Sequence, residues 1–157
     1  FEIASYLNEV SKGDISAVSA MRIKSMYRVI GEMESIGDSG EAIGRMMKRA
    51  LDYGKTFDDG MVKRLDRMLD LLDVAFKAMV ANLKSPALFL KDISNAEDAE
   101  YNINEYRNSL REEQIVNFEK EGCNYQTGVF YIDIVQELEK MGDFIINISQ
   151  SLLEKND

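Results

Sequence analysis

A chain of 157 residues, 45% of them hydrophobic, is long enough to form one domain with a buried core. A net charge of −9 argues against a nucleic-acid partner, whose affinity rests on neutralising phosphates with Lys and Arg, and makes cations the expected ligands. Histidine is absent, so a Ser-His-Asp triad, a histidine base, an HExxH zinc site and a Glu-x-x-His di-iron motif are all excluded, and no enzymatic activity is expected.

Taken in order, residues 1–12 carry Phe1, Ile3, Leu7 and Val10 at helical spacing, with Gly13 as terminator. Asp14 is the expected cap of a long second helix, whose apolar positions recur at threes and fours from Ile15 to Leu51. Gly54 and the cluster Thr56-Phe-Asp-Asp-Gly60 make a turn. A clean amphipathic helix then spans 61–83 on Val62, Leu65, Leu69, Leu72, Phe76, Met79 and Leu83. Its aspartates Asp66, Asp70 and Asp73 share one face, and nearby Lys and Arg make that a solvated flank.

Ser85-Pro86 marks the next helix start, with a helix of some 35 residues expected to run to Gly122. Ala96, Ala99, Glu100, Asn104 and Arg107 form a small and polar inner face suited to close contact with another helix. Asn124 or Thr127 starts the last helix, and the tail from Ser151 is expected to fray. The whole is an all-α, antiparallel up-and-down bundle in one domain over residues 1–157. The single Cys123 forbids an internal disulfide and fits a reducing compartment; it reads as a small half-buried residue at a helix start. No run of about 18 apolar residues exists to span a membrane. The chain opens at Phe1 without an initiator Met, so a domain cut from a longer protein is expected.

One stretch occurs twice. Residues 30–43 (IGEMESIGDSGEAI) align without a gap on residues 135–148 (VQELEKMGDFIINI) at an offset of 105, with Glu32/Glu137, Glu34/Glu139, Gly37/Gly142, Asp38/Asp143 and Ile43/Ile148 identical. The shared kernel, Glu-x-[Ile/Met]-Gly-Asp, is costly inside a helix. Carboxylates four apart lie about 40° apart around the axis and repel by about 0.2–0.5 kcal/mol, while the glycine costs roughly 1 kcal/mol relative to Ala. Two things can offset that cost: close helix approach at the glycine, and a cation between the carboxylates. A duplication with packing glycines and solvated carboxylates is the plainer alternative. The relative direction of the two kernel helices stays open.

The kernels Glu34-Ser-Ile-Gly-Asp38 and Glu139-Lys-Met-Gly-Asp143 resemble the repeated Glu-x-x-x-Asp motif of the PhoU domain, a fold of two three-helix repeats. Their flanks, including Ala96, Glu100, Ile103-Asn104, Arg107, Gly128, Tyr131-Ile132-Asp133-Ile134 and Asn147-Ile148, resemble the PhoU-like domain at the cytoplasmic end of bacterial sodium/phosphate cotransporters. Ser35 and Lys140 stand where the family usually has arginine. The resemblance implies a complete second repeat and a truncated first one. It also implies a regulatory, metal-binding domain of a phosphate-uptake system, attached to a membrane transporter portion of the same protein at the cytoplasmic face of the membrane, with a homodimer expected. Glu34, Asp38, Glu139 and Asp143 are the implied metal ligands, with Glu100, Asn104, Asp133 and Asn147 as weaker candidates. The family suggests a multinuclear iron or zinc cluster, whereas an all-oxygen donor set suits Mg²⁺, Ca²⁺, Mn²⁺ or ferric iron better than Zn²⁺. The alternative is a metal-free helical oligomerisation or interaction module.

Overall fold

Local sequence sets most helix ends in the computed structural model, which describes residues 2–86 and 89–153. The helices are α1 (Glu2–Ser11), α2 (Ala17–Asp52), α3 (Asp59–Leu83), α4 (Ser94–Phe118) and α5 (Tyr125–Gln150). The all-helical architecture is as the sequence indicates, with four long helices after a short one. Asp58 caps α3 by accepting from the Met61 amide at 2.8 Å, and Asn124 caps α5 by accepting from Thr127. Ser16, not Asp14, caps α2: its hydroxyl accepts from the Ser19 amide.

The start of α4 departs most from expectation. Ser85-Pro86 does not open a helix; α4 begins at Ser94, where the Asp92 carboxylate accepts from the Ser94 amide and hydroxyl. Leu90 and Ile93 are used to cover the end of α5. Ile93 and Ala96 are buried against Ile146, with Leu90 and Leu153 packed around them, and the Leu90 amide donates to the Leu152 carbonyl at 2.8 Å. The same contacts hold residues 151–153 in place, so the tail does not fray there: Ser151 is buried and Leu152 and Leu153 are half-buried. Its last four residues lie outside the described residues.

Packing centres on α5, which meets α2, α3 and α4. Cross-helix pairs give the directions. Ser39 bonds Glu137 and Asn147 bonds Glu32, so numbers fall along α5 as they rise along α2, and the two kernel helices are antiparallel. Arg107 with Glu139, and Ile103 against Gly142, set α4 antiparallel to α5 by the same logic. Met68, Leu72, Met79, Ile103, Ile134, Leu138, Ile145 and Ile148 make the main core, to which α2 contributes Val29. Fully burying one such side chain contributes about 1.5–3 kcal/mol. Among the described residues α2 rests on α5 and α1 and does not approach the backbones of α3 or α4. The aspartate row on α3 is exposed, and Asp73 pairs with Lys77, as a solvated flank should. No helix among the described residues is long and apolar enough to cross a membrane.

Candidate functional site

Because α2 and α5 are antiparallel, the duplicated stretch meets its own copy across a local near-twofold relation. The identical Glu32 and Glu137 both face this seam. Glu137 Oε1 accepts from the Ser39 hydroxyl at 2.6 Å, and Glu32 Oε2 accepts from the Asn147 amide at 3.3 Å. Neither glutamate was a candidate ligand on sequence grounds, although their identity in the two copies was the available signal. Asn147, a weaker metal candidate, stands at this seam, its Nδ2 on Glu32. Asp133, another, is exposed on α5.

The two kernels differ in surroundings. Glu139 and Asp143 lie on the side of α5 that faces α4, where Arg107 Nη2 donates to Glu139 Oε1 at 2.5 Å. These two side chains are only 20% and 15% exposed. Asn104 Nδ2 donates to Glu100 Oε1 at 2.7 Å, while its own Oδ1 is buried with no partner among the described residues. Burial holds the Asp143 carboxyl above its usual range, the negative charges of Glu139 and Glu100 push it further, and Arg107 opposes them. Glu100, Asn104, Glu139 and Asp143 therefore share one face, and Arg107, expected only as part of a helix-packing surface, supplies its counter-charge.

The first kernel is open. Glu34 and Asp38 are exposed on α2, with no ion pair among the described residues. Asp38 lines a shallow cleft of about 300 Å³ together with Glu137, Arg45 and Lys140, whose charges balance its own. The four kernel carboxylates are thus not gathered into one site, and among the described residues no three Asp, Glu, Cys or His side chains converge as a metal-binding group.

A pH dependence follows from Asp143. Its folded pKa lies above the ordinary 3.8, so protonation favours the folded chain. That contribution is fully present below the unfolded value and is lost as pH rises through the folded one. In chelator-treated protein, Asp143→Asn is expected to raise Tm at pH 7, with the gain over wild type shrinking as pH falls toward 4; a gain independent of pH would contradict this assignment.

Compared with protein-family models, with curated proteins and with solved structures, the chain gives no match.

Proposed function

We propose that this chain is a non-enzymatic, PhoU-like regulatory module of a phosphate-uptake system, whose α4/α5 acidic face binds a hard divalent cation. In this reading it works on a membrane transporter portion at the cytoplasmic side, as the tail of a sodium/phosphate cotransporter would. The observation that carries the cation part is that Arg107 pairs with Glu139 alone, while Asp143 and Glu100 on the same face have no ion pair among the described residues. The donor set is all oxygen, and Asn104 adds a buried carbonyl oxygen in need of a partner. Mg²⁺ is commonly held by one or two carboxylates with several waters retained, which suits a pair of acids such as Asp143 and Glu100. Asp143 and Glu100 would hold the cation, while Arg107 keeps Glu139 in place. Occupancy shifts a regulatory equilibrium only if the two docking states differ in cation affinity.

A second reading, a metal-free interaction module, is favoured by the Arg107–Glu139 pair, which already neutralises one kernel carboxylate. Metal analysis of protein prepared without chelator separates the two. The first reading expects bound divalent metal in wild type and its loss in Glu100→Gln/Asp143→Asn; metal-free wild type leaves the second. The regulatory part is tested by phosphate uptake in cells carrying the same double substitution, and uptake identical to the parent under phosphate excess and starvation would remove it.

A further inference from the structure

Two buried side chains stand where the C-terminal half of α4 meets the N-terminal half of α5, and each carries an unsatisfied polar atom. Gln114 of α4 is 3% and Tyr131 of α5 is 2% exposed. Among the described residues neither the Gln114 Nε2 amide nor the Tyr131 hydroxyl has a hydrogen-bond partner. Gln114 follows Glu100 by 14 residues, about 21 Å along the helix at 1.5 Å per residue, so this region is separate from the acidic face.

The sequence makes room for that amide. A Cβ on Gly128, near the start of α5, would collide with Gln114 Nε2 and with the Phe118 ring. Glycine is a poorer helix residue than alanine, and a buried amide without a partner is destabilising. Keeping both at one contact points to a partner for the amide that lies outside the chain.

Both unsatisfied atoms belong to the lining of one chamber of about 30 Å³, to which Asp58, Arg64, Glu113 and Asn117 also contribute. A single water needs about 10–15 Å³, so the chamber has room for one and little more. The chemistry of the lining selects the same occupant. Burial pushes the Tyr131 hydroxyl up to about 12, so at neutral pH it is protonated and, like the Gln114 amide, offers a hydrogen. Asp58 and Glu113, more exposed, each accept one bond already, from the Met61 amide and from Arg64, and keep lone pairs for a further donor. A cation cannot accept the amide hydrogen, and an anion would face two carboxylates. Water does both, accepting two hydrogens and donating two.

We propose that this chamber is a resident-water site. One water accepts from Gln114 Nε2 and from the Tyr131 hydroxyl, donates toward Asp58 or Glu113, and so ties α4 to α5 beside the start of α3.

Oxygen-17 relaxation dispersion of the solvent, measured on the 157-residue chain, counts long-held waters and is blind to proton exchange from the Tyr131 hydroxyl. Wild type is expected to hold one more such water than Gln114→Met/Tyr131→Phe, in which apolar groups of similar shape replace both anchors. Equal counts overturn the proposal. A crystal structure of wild type gives a second reading that does not depend on how a variant folds. An ordered, isolated oxygen within hydrogen-bond distance of both Gln114 Nε2 and Tyr131 Oη is expected. An empty chamber, a Gln114 amide bonded directly to another protein group, or an oxygen belonging to a larger bound molecule overturns it.

Discussion

Arg107→Ala is expected to destabilise the fold by about 2–3 kcal/mol at pH 7 and low cation concentration. Removing one member of a buried ion pair typically costs about 3–5 kcal/mol, because the other charge stays buried without a partner. Residual exposure of the Arg107 and Glu139 side chains, 20% and 15%, lets water screen part of that loss, hence the lower figure. Glu139 is not alone in needing the guanidinium, since Arg107 also opposes the charges around Asp143. The loss should therefore shrink as pH falls and carboxyls protonate, and should shrink at pH 7 on adding a divalent cation. Arg107→Met/Glu139→Met, which removes both charges, should recover most of the loss in denaturant unfolding. A double variant as unstable as the single one would show that packing, and not charge, is what Arg107 supplies.

The two kernel glycines should respond to substitution with opposite signs. At Gly142 the nearest side-chain atoms to a built Cβ are Ile103 Cδ1 at 3.1 Å, Ile103 Cγ2 at 3.3 Å and Leu72 Cδ2 at 3.6 Å. Ile103 is fully buried and Leu72 nearly so, and neither has open space to move into. The branched methyls of Gly142→Val reach into both, and overpacking of this kind costs about 1–3 kcal/mol. At Gly37 a side chain meets nothing, so Gly37→Ala should stabilise the isolated chain by about 0.5–1 kcal/mol through helix propensity. Thermal or urea unfolding reads both.

Periodicity was enough to show the helices, since their apolar stripes are long and breakers are few. The duplication singled out Glu139 and Asp143, and the resemblance added Glu100 and Asn104; the structure sets these four on one face, and leaves Glu34 and Asp38 exposed on α2. Three things were not legible. Helix direction was open because a repeat of three helices and a chain of reversing connections give opposite answers, and only the cross-helix pairs of Glu32 and Glu137 decide between them. The start of α4 was misplaced because Ser-Pro is a strong local start signal, whereas the chain spends Leu90 to Ile93 covering Ile146, a long-range demand that local sequence does not state. Equal sequence at the two kernels also does not state how differently they are covered. Burial depends on what packs opposite, and only α5 has both α3 and α4 against it.

The most direct test is a calorimetric titration of Mg²⁺ and Mn²⁺ into chelator-treated protein at pH 7, run side by side on wild type and Asp143→Asn. Saturable binding by wild type, with the heat abolished in the variant, is the expected outcome. Heats indistinguishable between the two proteins, or none in either, would contradict a cation site on the α4/α5 face.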